Sequence, residues 1–130
     1  VASPAMDCLT DPALERAWAA AGGGPARAEA IVRRAADGDR AAVAVCASFA
    51  RRLGRLIGML AAFTLPEVVV VAGERAAIAS LFEEQVMVGI AAVRRASARS
   101  PTIAVREHER VDWARGAACL ALRSRVMGEL

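Results

Sequence analysis

The chain has no lysine and no tyrosine. All 17 basic residues are arginine, and aromatic residues make up 4% of the 130, as three Phe and two Trp. So few rings exclude an interior built on large aromatic anchors and point instead to close packing of helices through Ala and Val. The absence of lysine follows the same bias as the abundant Ala, Gly and Val, which GC-rich coding produces. It is not by itself a nucleic-acid signature. With 56% hydrophobic and 24% charged residues the sequence excludes disorder and reads as one globular domain.

Other scarcities exclude whole classes of chemistry. His108 is the only histidine, set among Glu107, Glu109 and Arg110, and without a Cys or a second His nearby it makes no zinc site and is expected on the surface. Cys8, Cys46 and Cys119 are odd in number and far apart, so three reduced, packed thiols and a cytoplasmic location are expected. The net charge of +3 is modest, and the arginines are scattered rather than gathered into a stripe between aromatics, so direct DNA binding by these residues is not indicated. The longest uncharged run, Leu56 to Pro66, is too short to span a bilayer. No phosphate loop and no Ser-His-Asp spacing occurs, and Glu83-Glu84, adjacent on a helix, diverge and read as a solvated face rather than an acid-base pair. No catalytic or metal-binding residue is therefore assigned. Val1-Ala2-Ser3-Pro4-Ala5-Met6 carries neither an initiator Met nor a signal pattern, and the expectation is a piece of a longer protein.

What is present is a regular succession of helices around two strands. Thr10 or Asp11 caps a first helix over 11–21, with Pro12 in its first turn and Gly22-Gly23-Gly24 ending it. Pro25 opens a second, which presents Ala28, Ile31, Val32 and Ala35 on one face and ends at Asp37-Gly38. Asp39 caps a long central helix reaching Phe63 or Thr64, with Val43, Cys46, Ala47, Phe49, Ala50, Leu53, Leu56, Ile57, Leu60 and Ala61 at three- and four-residue steps. Small residues at Ala47, Ala50, Gly54, Gly58 and Ala61 let another backbone approach.

Val68 to Val71 then form a strand with no polar alternation, as expected for one buried on both faces of a parallel sheet. Gly73 supplies a turn that Cβ would obstruct, and the helix after it is expected to aim free N–H groups above the strand end, where ligands of open α/β sheets bind. That helix, over about 74–97, carries Ile78, Leu81, Phe82, Val86, Ile90 and Val93 on its apolar face. Thr102 to Arg106 alternate like a second, more exposed strand. Asp112 caps a last helix to about Met127, with Ala114, Ala117, Ala118, Ala121 and Leu122 inward and Trp113 either an anchor or an interface residue. The predicted class is α/β, helix-rich, in the order ααα-β-α-β-α, with one right-handed parallel βαβ unit. Two strands leave an unfinished apolar sheet and the small residues of the central helix leave close-approach positions, so self-association, or completion by the rest of a parent chain, is expected.

Three local patterns resemble the carboxy-terminal part of the ROK family of bacterial sugar-responsive repressors and sugar kinases. They are the long helix around Ala47 to Ile57, the Pro-Glu-strand-Gly segment Pro66 to Gly73, and the Asp112-Trp113-Ala114-Arg115-Gly116-Ala117-Ala118 turn. The resemblance spans nearly the whole chain, strongest from Ala47 to Leu122, and implies that 1–130 are a partial lobe of an actin-like, ribonuclease-H-like ATPase fold. The family's Asp-x-Gly-Gly-Thr phosphate segment, catalytic Asp, Glu-x-Gly-His sugar motif and Cys-rich zinc motif lie upstream and do not occur here. A helix-turn-helix domain, the route to DNA in a repressor, would also lie upstream.

The resemblance implies no cofactor within this stretch, and ATP or a sugar as ligands of the intact parent. If nucleotide binds, Ala72, Gly73 and Glu74 are the residues facing it. Kinases of the family carry Gly-Gly there, whereas this chain has Ala72-Gly73-Glu74. With the Asp112 to Gly116 wording, this favours the repressor branch. The nucleotide-facing lobe of a sugar kinase and a non-catalytic oligomerisation module remain the alternatives.

Overall fold

A computed structural model describes residues 8–94, 99–107 and 110–127. Helix α1 spans Asp11–Ala20, with Thr10 as its cap: the Thr10 Oγ1 accepts from the Ala13 N–H at 3.4 Å. Of the two expected caps Thr10 is the one used, and Asp11 lies in the first turn. Gly22 takes φ +84°, and at Gly23 an added Cβ would fall on the Trp18 ring. The Trp18 Nε1 donates to the Gly24 carbonyl at 2.8 Å, and Arg34 lies over the ring, 5.7 Å from its centroid. The glycine triplet thus does more than stop α1. It wraps a buried indole and satisfies its polar end.

Helix α2, Ala28–Ala36, begins three residues later than Pro25, and Glu15 accepts the Ala28 N–H at 3.1 Å, satisfying a donor left open at the helix start. The expected face holds: Ala28, Ile31 and Ala35 are buried. Helix α3, Arg40–Thr64, is capped by Asp39, whose Oδ1 accepts from Ala41 and Ala42 at 2.9 and 3.0 Å. It ends where Leu65 turns left-handed, φ 45°, just before Pro66.

Strand β1 is Val68–Gly73 and β2 is Thr102–Glu107, paired parallel in the register Val68 to Thr102 through Gly73 to Glu107. The chain crosses between them through α4, Ala77–Leu81, and α5, Glu83–Ala91. The single helix expected over about 74–97 is therefore divided, with Phe82 at φ −126°, ψ 40° serving both halves; residues 95–97 of that reading lie outside those described. The break has a packing reason. Helix α4 lies against β2 whereas α5 lies along α3, and one straight rod cannot follow both.

The principal packing is α3 on α5. An added Cβ on Gly54 would land on the Val86 carbonyl, one on Gly58 on the Val93 side chain, and one on Gly89 on the Arg51 carbonyl. At Gly54 and Gly89 two backbones therefore meet with no side chain between them, as the small residues of α3 require. The partner is this chain's own α5, so these positions are already occupied and give no argument for self-association. Above the seam, Leu14, Ile31, Cys46, Ile78, Val86 and Ile90 are the largest fully buried side chains, each worth about 1.5–3 kcal/mol where large and aliphatic.

The sheet corrects one expectation plainly. Val69 and Val71, with Ile103 and Val105, rest on this core, but Val68 and Val70 are 53% and 59% exposed. Four valines without alternation do not make a strand buried on both faces here, because among the described residues only one face has helices against it. Leu60 and Leu81, placed on apolar faces by periodicity, are also exposed.

Helix α6, Arg110–Met127, starts before Asp112, which lies within its first turn instead of preceding the helix and accepts from Arg115 at 3.3 Å. Ala114, Ala117, Ala118, Ala121 and Leu122, expected inward, are all exposed, as is Trp113 at 72%. No principal helix packing among the described residues includes α6.

Candidate ligand-facing turn after the first strand

Both strands of a parallel pair end on the same side, and the turn that leaves β1 there is built by Gly73. Its φ of +127° is a region open to glycine, so the residue is demanded by the backbone. An added Cβ would meet nothing within 4 Å, so close approach is not the reason. The Gly73 carbonyl accepts from the Ala76 N–H at 3.1 Å, Ile78 donates to Arg75 at 3.0 Å, and Ala79 donates to Ala76 at 2.9 Å. These bonds use up donors expected to point freely above the strand. The helix that follows is only five residues long, with no side-chain cap. It does not form the donor-lined helix start that the sequence suggested.

Ala72, Gly73 and Glu74 lie together on this turn, Ala72 and Glu74 exposed and Gly73 half-buried. The next residue is the one that reaches across the molecule. Arg75 forks onto Asp11, Nε to Oδ1 at 3.1 Å and Nη2 to Oδ2 at 2.9 Å, while its Nη1 donates to the Glu74 carbonyl at 2.9 Å. The Glu74 carboxylate is 4.0 Å from the same guanidinium. Beside the fork lies a shallow cavity of about 260 Å³ lined by Asp11, Pro12, Glu15, Arg27, Glu29 and Arg75. Sequence reading missed this pair. Its only local signal was an arginine two residues after the turn glycine and a carboxylate in the first turn of α1, with nothing to join them across 64 residues.

The other singled-out residues are not brought together. Glu83 and Glu84 are exposed in the first turn of α5, and His108 lies outside the described residues. Cys46 is buried, Cys8 half-buried and Cys119 exposed, so only Cys46 fully meets the expectation of packed thiols. Burial pushes the Cys46 thiol up to about 11, which keeps it protonated and inert near neutrality. Among the described residues no group of three or more His, Cys, Asp and Glu side chains is placed to hold a metal, and no helix is long and apolar enough to cross a membrane.

The helices of the first half lead into a parallel βαβ unit with a glycine turn after its first strand, the element order on which the resemblance rests together with the Pro66 to Gly73 segment. The ROK family sequence model matches residues 7–124. The chain belongs to the ROK family. Membership implies the actin-like ATPase fold, of which the helix-rich α/β structure with two parallel strands is a part. No curated protein and no solved structure gives a significant match to the chain.

Proposed function

We propose that the chain is the carboxy-terminal ligand-sensing and dimerisation lobe of a ROK-family transcriptional regulator of sugar metabolism. The observation that carries this reading is the composition of the turn: Ala72 stands where kinases of the family carry glycine. Its following helix is only five residues long, and the Ala76, Ile78 and Ala79 N–H groups are already bonded, which makes it a poor donor array for a phosphate. In this reading the lobe performs no chemistry. Sugar held between lobes of the intact protein shifts a population toward a closed state, and the change reaches DNA through an upstream helix-turn-helix domain. The protein then works in the cytoplasm as a homo-oligomer. The unpaired edges of the two-stranded sheet support self-association, while the glycine stripe of α3 no longer does.

The second reading, the nucleotide-facing lobe of a sugar kinase, is favoured by Gly73, whose left-handed turn at the strand end leaves open space in which an adenosine would lie against Ala72 and Glu74. A non-catalytic oligomerisation module is the third. Calorimetric titration of ATP and a panel of sugars into the full-length protein separates them. Sugar binding without nucleotide binding is the expected result. ATP binding with sugar-dependent turnover overturns it in favour of the kinase, and silence toward both leaves the oligomerisation module.

A further inference from the structure

We propose that the Asp11–Arg75 fork is a conformational latch, which sets the shape of the Gly73 turn and ties that turn to the first turn of α1. Packing holds only the far end of the turn, where Ala76 is buried. Ala72 and Glu74 are exposed, the space around Gly73 is open, and the strand it leaves has solvent on one face. The fork holds the rest: the Nε and Nη2 edge of Arg75 is fixed by one carboxylate, and the remaining nitrogen clasps the Glu74 carbonyl inside the turn. A bidentate guanidinium–carboxylate pair fixes direction as well as distance. The two side chains are 25% and 39% exposed, so water screens the pair only in part.

The location of Asp11 adds a second reason. It lies in the first turn of α1, where backbone N–H groups carry partial positive charge. Its carboxylate therefore stands between two positive partners, the helix start and the guanidinium. Neutralising it does not merely weaken an attraction; it leaves Arg75 facing the positive end of a helix. The latch should then open, and α1 with α2 behind it loses its direct tie to the strand end. Displacing the turn requires either breaking the fork or moving the start of α1. The inference is independent of whether a sugar or a nucleotide is the ligand.

Amide hydrogen exchange on the 130-residue chain, without ligand, tests it. In Asp11→Asn the Ala76 and Ile78 amides, both bonded within the turn, should exchange about fivefold faster, while Ala50 and Ile90 in the α3–α5 seam keep their wild-type rates. Arg75→Lys retains the charge but cannot form the fork, and should accelerate the same two amides. Unchanged turn amides in both variants overturn the proposal. So does an equal acceleration at Ala50 and Ile90, which marks the pair as a contributor to global stability and not a latch.

Discussion

The seam between α3 and α5 and the surface carried by α6 with the outer face of β1 are both apolar, and they are opposites. In the seam Gly54 and Gly89 bring backbone onto backbone, and Val86 and Ile90 beside them are sealed from water. On the other side Val68, Val70, Leu120, Leu122 and Val126 stand in solvent, Val126 at 80%. Apolar content alone does not separate these regions; shape does. Glycine opposite a carbonyl can make only one contact, whereas valine and alanine repeated along an element fit many neighbours or none. At about 100° per residue, Val111, Leu122 and Val126 fall on one side of α6 while Trp113 and Leu120 fall on the opposite side. A helix apolar on two sides is suited to lie between two surfaces, not upon one.

The largest test of the contrast is at the seam. Gly89→Val and Gly54→Val should each cost about 3 kcal/mol or more, because the obstructing atoms are backbone that cannot rotate away, and urea denaturation would read it as a lower midpoint. If either variant unfolds like the wild type, the backbones do not meet there. Gly116→Ala in α6, where an added Cβ meets nothing within 4 Å, should by contrast be neutral or stabilise by up to about 1 kcal/mol. Truncations come next: Ile90→Ala should cost about 2–5 kcal/mol, and Leu122→Ala about 0.5 kcal/mol or less in the chain by itself. A large loss from Leu122→Ala at high protein concentration, fading on dilution, would instead reveal a second copy over α6, and light scattering across that range reads it directly.

The smallest effect is chemical. Cys119 should react with an alkylating reagent at pH 8 while Cys46 stays protected until the chain unfolds. Because burial raises the Cys46 thiol from 9.0 to about 11, the unfolded chain loses this proton first as pH rises. The stabilisation is complete below pH 9 and is lost between pH 9 and 11. Cys46→Ser should flatten that part of the stability profile, in addition to any packing cost.

Local chemistry carried much of this structure into view. Asp39 caps, Gly73 turns and Gly54 admits a neighbour for reasons that need only the residue and its immediate neighbours, and each could be read before the fold was known. Phe82 could not. It sits in an unbroken apolar periodicity, and the helix stops there only because the segments on either side serve different partners. The valines of β1 misled for a related reason: their composition suits burial on both faces but cannot state whether a second layer exists. Among the site residues, Gly73 was legible as a turn, whereas the Asp11–Arg75 fork joins residues 64 apart in the chain, and neither residue's neighbours name the other as its partner.

The two tryptophans divide along the same line. Trp18 is wrapped by glycine with its indole nitrogen bonded, and Trp113 faces water, with no tyrosine anywhere to cloud their emission. The molecule thus carries one blue-shifted and one red-shifted, quencher-accessible fluorophore, each reporting a different half. Acrylamide should silence the second and spare the first. A ligand, partner or second copy that covers α6 would announce itself as protection of Trp113, in a cuvette and without a label.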